Sequence, residues 1–158
     1  SCSLETLSSE FRGTLYSTVL LKTIETAIIE TSADARNADI KVEIEGKEYN
    51  SLYFDEYLGQ KDKYAVYFGG NYSEVNIKTG AVRDGQKAEE KLLVIKDSFA
   101  NSMIPFLLDD FSEITMVDTR FYRGDISRLA EDYDRVLLVY SVNNFAKEKM
   151  VLTGSLLK

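Results

Sequence analysis

Leu92–Ser98 reads LLVIKDS, and this short stretch decides the fold. Four apolar residues run without a break from Leu92 to Ile95, the pattern of a strand covered on both faces. Three polar residues, Lys96, Asp97 and Ser98, close the run. Downstream the pattern returns twice, in Ile114–Val117 and in Arg135–Val142. A helix is expected after each of the first two strands. Phe99, Met103, Ile104, Phe106 and Leu107 form the expected buried side of the first helix. Pro105, the only proline, interrupts it by removing an amide donor. Ile126–Tyr133 is the second helix, with Asp125 or Ser127 as its cap. Strand, helix, strand, helix, strand in that order predicts three neighbouring parallel strands with right-handed crossovers.

The half before Thr79 has a different texture. Thr23–Thr31 is rich in Thr and Ile, as strands are. Ile40, Val42 and Ile44 alternate with Lys41, Glu43 and Glu45, the period of a half-buried strand. Gly46-Lys47 predicts a hairpin turn into Glu48–Phe54. Val75 and Ile77 make a shorter alternating piece, and Asp84–Lys91 reads as a solvated, charged loop. The expected fold class is α/β: a parallel sheet core with an antiparallel hairpin attachment.

Composition narrows the function. The 158 residues suit a single domain with a real core, and the net charge is −7, from 26 acidic and 19 basic residues. No Lys/Arg cluster offers phosphate neutralisation, so nucleic acid is not an expected partner. Cys2 is the only cysteine, which excludes an internal disulfide and any multi-thiolate metal site. No apolar run is long enough to span a bilayer, and the first residues lack the pattern of a signal peptide.

Ligands of open parallel sheets bind beyond the carboxyl ends of the strands. Three such ends can be named: Lys96-Asp97-Ser98, Asp118-Thr119-Arg120, and Ser141 with Asn143 and Asn144. A serine that leaves a strand and opens a helix gains the helix amides as stabilisers of developing negative charge, so Ser98 suits an acyl-transfer nucleophile. Asp97-Ser98 also suits plain helix capping. The chain has no histidine, and serine is a weak nucleophile without a base to take its proton. Asp97 and Asp118 could face a Mg²⁺ ion, but two carboxylates leave most of its shell to water, and no metal site is expected. Arg120 could recognise a carboxylate or a sugar hydroxyl, or be solvated. Gly69-Gly70-Asn71 permits a tight turn with exposed amides, suited equally to an oxyanion site and to an ordinary turn.

Three ordered blocks, Lys63–Asn71 (KYAVYFGGN), Lys91–Phe106 (KLLVIKDSFANSMIPF) and Ile114–Ile126 (ITMVDTRFYRGDI), together resemble the bacterial DHHW proteins. The opening LETLSSEFRGTLYS is similar to the segment that follows that family's signature helix. The family is related to the alginate O-acetylation proteins, whose SGNH-hydrolase-like fold is permuted so that the Asp and His of the triad precede the serine. The resemblance implies a three-layer, flavodoxin-like arrangement. It also implies Ser98 at the nucleophile position, with Asn71 and Arg120 as oxyanion or substrate-binding residues.

Secretion or attachment at the cell surface follows from the same resemblance. So does a link to acylated polysaccharide or an acyl donor, with other cell-envelope proteins as further partners and no cofactor. The Asp-His-His-Trp motif that names the family would lie before Ser1. The expectation is thus the C-terminal part of a larger SGNH-like domain, an esterase or O-acyltransferase inactive as this fragment. The alternative is a non-catalytic cell-surface binding or scaffold module.

Overall fold

The computed structural model describes residues 4–11, 27–83 and 85–145. In chain order the strands are β1 (Leu4–Phe11), β2 (Ala27–Ser32), β3 (Ile40–Ile44), β4 (Lys47–Tyr49), β5 (Glu74–Thr79), β6 (Val82–Arg83), β7 (Gln86–Lys87), β8 (Lys91–Lys96), β9 (Glu113–Asp118) and β10 (Arg135–Val139). Among the described residues, the helices are few and short, principally α1 (Ala33–Arg36) and α2 (Ile126–Ala130). The chain is therefore a mixed α/β structure whose core is mostly sheet.

Six strands form the main sheet in the order β10-β8-β9-β5-β3-β4. β8 pairs in parallel with both β9 and β10, as the three apolar runs predict, although the third strand ends at Val139 and not at Val142. The chain moves one strand to the side for β9 and then returns past β8 for β10. The carboxyl end of β8 thus lies where the direction of winding reverses, the position at which open sheets bind ligands. β5 joins this parallel group antiparallel to β9, and β3 and β4 extend it antiparallel.

Alternation of side chains along β8 divides the core in two. Leu92 and Val94 pack with Ile114, Met116, Ile77 and Val42 on one face, while Leu93 and Ile95 pack with Val117 and Ile126 on the other. Among the described residues β10 is the edge, and its apolar run is less covered than the pattern suggests, with Val136 and Leu138 each 45% exposed. β1 and β2 form a separate antiparallel pair.

Several expectations need correction. No helix follows β8. Ser98–Ser102 and Ile104–Phe106 are 3₁₀ turns instead, the second with Pro105 in its first turn. Proline there withholds the amide that an α-helix would need, and the tighter period redistributes the apolar residues. Ile104 is buried, but Phe99 and Phe106 point outward. The second helix stops at Ala130, capped by the Asp125 carboxylate, which accepts from the Arg128 amide at 3.1 Å.

In the hairpin the turn residues are Glu45 and Gly46, both with positive φ, and Lys47 already pairs with Ile44. The following strand ends at Tyr49, short of Phe54. The charged stretch is not simply loop, since Gln86–Lys87 (β7) pairs with β6 and Lys91 opens β8. Residues 23–26 of the first predicted strand lie outside the described residues. The remainder of that run falls in β2.

Candidate active site

The parallel register sets the site. Lys96 lies beside Asp118, the last residues of β8 and β9, and both side chains fall on the face that carries Leu92, Val94, Ile114 and Met116. The strands are still covered there, so both charged groups are buried, 2% and 0% exposed at the side chain. A buried charge must find partners in the protein. Asp118 is gripped by Arg120, which donates Nε to Oδ1 at 2.9 Å and Nη2 to Oδ2 at 2.6 Å, with the Arg120 amide on Oδ1 at 3.1 Å.

Lys96 Nζ donates to Asn101 Oδ1 at 2.8 Å and lies 4.0 Å from Asp118 Oδ2. Burial pulls the Lys96 ammonium down to about 8. Asp118 opposes that fall, Arg120 reinforces it, and Asp97 opposes it more weakly.

Asp97 ties the ends of β8 and β10 together. Its Oδ1 accepts from the Phe99 amide at 3.0 Å, and its Oδ2 accepts from the Ser141 amide and from Asn144 Nδ2, both at 2.8 Å. Burial alone would raise this carboxyl, but the donors from Ser141, Asn144 and Phe99 outweigh it and hold the group below its ordinary value. The two carboxylates considered for Mg²⁺ are thus each satisfied by protein donors. Among the described residues no cluster of three or more His, Cys, Asp or Glu could hold a metal ion.

Ser98 opens the 3₁₀ turn and is half-buried, and Asp97, not Ser98, is the cap of that turn. Among the described residues, no hydrogen bond engages Ser98 Oγ. The turn is clamped from the other half of the molecule by Tyr64. Its hydroxyl donates to the Ser98 carbonyl at 2.9 Å, with the Phe99 carbonyl at 3.1 Å, and accepts from the Ser102 amide at 3.2 Å. Burial raises the Tyr64 phenol while its Ser102 contacts oppose the rise, so it remains a donor at neutral pH.

The expectation that helix amides after Ser98 serve an oxyanion does not survive this geometry. The Phe99 and Ala100 amides are both taken by Asp97, and five residues of 3₁₀ turn make little dipole.

Asn71 is exposed at the end of a run of three positive φ angles, Phe68 (64°), Gly69 (76°) and Gly70 (149°). A bulky residue such as Phe rarely adopts that conformation. Phe68 is held in it by its own burial and by its amide, which donates to the Leu52 carbonyl at 2.8 Å. The turn brings Asn71 Oδ1 and the Gly70 carbonyl to Asn101, whose Nδ2 lies 3.4 Å from each. The structure therefore links Asn71, through Asn101, to the β8 end that carries Ser98. It places Arg120 on Asp118, with its side chain 33% exposed.

Three residues of this network escape a reading by motif: Lys96 as a buried group, Asn101 and Tyr64. For Lys96 a signal exists, because period two puts it on the same covered face as Leu92 and Val94. Asn101 and Tyr64 carry no such signal.

A serine beyond a parallel strand end, fed by loops from three neighbouring strands, defines a mixed α/β protein with a strand-end serine site. Within that class the chain belongs to the DHHW protein family, whose profile matches residues 11–117. Among solved structures it is similar to a DHHW family protein from Eubacterium siraeum, with 21% identity and a TM-score of 0.66, over 98% of this chain and 49% of that one. It is also similar to Bacillus cereus PatB1, with 27% identity and a TM-score of 0.57, over 76% of this chain and 41% of that one. PatB1 with a sulfonyl adduct matches at 24% identity and a TM-score of 0.58, over 90% and 47%. The chain thus spans about half the length of these proteins. No curated protein matches it.

Proposed function

We propose that these residues are the C-terminal part of a larger three-layer, SGNH-hydrolase-like domain, an esterase or O-acyltransferase for acyl groups of a cell-surface polysaccharide. The observation that carries this reading is Ser98, which leaves the central parallel strand at its carboxyl end on a turn fixed by Asp97 and Tyr64, its Oγ unengaged among the described residues. In the proposed reaction Ser98 Oγ attacks the acyl carbonyl carbon as a base takes its proton. The tetrahedral intermediate then expels the glycan or donor oxygen, which recovers that proton. The resulting ester on Ser98 passes its acyl group to water or to a sugar hydroxyl.

Asn71 donates to the oxyanion, and the exposed part of Arg120 meets the substrate. No histidine lies within the 158 residues, so neither this chain nor a second copy supplies one. The base and its orienting acid are assigned to sequence outside residues 1–158. An extracytoplasmic location, with cell-envelope proteins as partners, belongs to the same proposal. Among the described residues no helix is long and apolar enough to cross a membrane.

The test is hydrolysis of a chromogenic acetyl ester by residues 1–158 and by the chain joined to the sequence encoded before Ser1, where that sequence carries the Asp and His. Each form is assayed with Ser98 intact and as Ser98→Ala. The short form should match its Ser98→Ala variant, and the long form should gain about 10²-fold or more over its own. Equal rates in both long forms would remove the nucleophile and favour a binding module. Ser98-dependent turnover by the short form would place a base inside these residues.

A further inference from the structure

Among the described residues, Lys96 is the one buried cation that the proposed chemistry leaves unused, and its surroundings give it a direction. An ammonium donates and never accepts, whereas a primary amide does both. Lys96 Nζ therefore forces Asn101 to present Oδ1 inward, at 2.8 Å. The Nδ2 end is then turned outward, and its two protons meet two acceptors, the Gly70 carbonyl and Asn71 Oδ1, each at 3.4 Å. With its own oxygen engaged, the Asn71 amide must point its NH₂ group away from Asn101. The Gly70–Asn71 peptide is fixed likewise, because an N–H points opposite to the carbonyl of the same trans peptide. Donor polarity thus runs from the buried ammonium through two amides to a pair of donors on Asn71 that meet no acceptor among the described residues.

We infer that Lys96 is a positioning residue. Through Asn101 it fixes the Asn71 side-chain amide and backbone N–H as donors, so that they are preset for a developing oxyanion.

The inference rests on the acyl-transfer reading for its purpose, but the polarity chain is a property of this chain alone and is tested on it. Side-chain amide NMR of residues 1–158 reads the orientation directly. In the wild type, nuclear Overhauser contacts should join Asn101 Nδ2 protons to Gly70 and Asn71, with slow exchange of the Nδ2 protons. Lys96→Met keeps the side-chain length and removes the donor. It should lose those contacts and speed exchange at Asn101 by about 10-fold or more, with the backbone spectrum preserved. Lys96→Arg, also a pure donor, should restore them.

Asn101→Asp keeps an acceptor for Lys96 but has no proton to give. It should release Asn71 and the Gly70 carbonyl while keeping the contact with Lys96, and it serves if Lys96→Met does not fold. Unchanged exchange of the Asn71 amide protons in Asn101→Asp, or unchanged contacts and exchange at Asn101 in a folded Lys96→Met, would overturn the inference whatever the ester assay gives. In the longer active form, Lys96→Met should lower kcat by about 10-fold or more with KM unchanged, and Lys96→Arg should recover most of it. An equal loss in the two variants would likewise count against a polarity role. Absence of Ser98-dependent turnover in the long form would instead remove the acyl-transfer reading and leave the amide orientation standing.

Discussion

Strands β8 and β9 are buried along almost their whole length, whereas β3 alternates buried and exposed residues one by one. A polar residue therefore has different consequences in the two halves of one sheet. Lys41 and Glu43 in β3 point to water and need nothing from the protein. Lys96 and Asp118 occupy strand positions with no water-facing side, so each recruits fixed partners: Asn101, Arg120 and one another. The parallel half accordingly concentrates oriented polar groups at its carboxyl ends. The antiparallel half supplies the frame and two reaching elements, Tyr64 and the Gly69–Asn71 turn.

This contrast is broken most strongly by removing a carboxylate from each half. Asp118→Asn leaves the buried Lys96 with only the weaker influence of Asp97, although the partly exposed Arg120 can turn to water. Urea unfolding should show a loss of about 3 kcal/mol, the lower end for breaking a buried pair. Glu43→Gln, facing solvent on β3, should change stability by less than about 0.5 kcal/mol. Similar losses at the two sites would mean that burial does not separate the halves.

A smaller effect sharpens the same point through pH. Lys96 is held at about 8 in the folded chain against an ordinary value of 10.5. Below pH 8 folding must bury a charged ammonium. Between about 8 and 10.5 the folded chain has released a proton that the unfolded chain still holds, so stability rises with pH in that window. The wild type should thus gain on Lys96→Met from pH 7 to pH 10 by about 2 kcal/mol, less than the roughly 3 kcal/mol of the full shift. Tyrosine ionisation is common to both proteins and cancels in the difference. A pH-independent difference in denaturant unfolding would show that Lys96 is not held as a desolvated cation.

Legibility in the sequence followed the same division. Apolar runs and strict alternation both survive as β8, β9 and β3, because burial on two faces or one leaves a direct pattern of residue types. What the pattern could not give was the link after β8. Phe99, Met103 and Phe106 fit a helical stripe, but Pro105 and the capping by Asp97 favour two tight turns, and two of these rings point outward. Ser98, Asn71 and Arg120 were nameable from strand ends, a glycine turn and a family resemblance. Their connection through Asn101 and Tyr64 depends on contacts 30 or more residues apart in the chain, such as Asn101 with Asn71 and Tyr64 with Ser98, and no local spacing encodes those.

Covalent capture tests the proposed role of Ser98 as nucleophile most directly. The longer polypeptide carrying the Asp and His is treated with a small sulfonyl fluoride, and the adduct is located by intact mass and peptide mapping. The account predicts one adduct per chain on the peptide containing Ser98, absent in Ser98→Ala, with ester turnover falling in step with labelling. Labelling at another residue, or continued Ser98-dependent turnover in fully labelled protein, would contradict it.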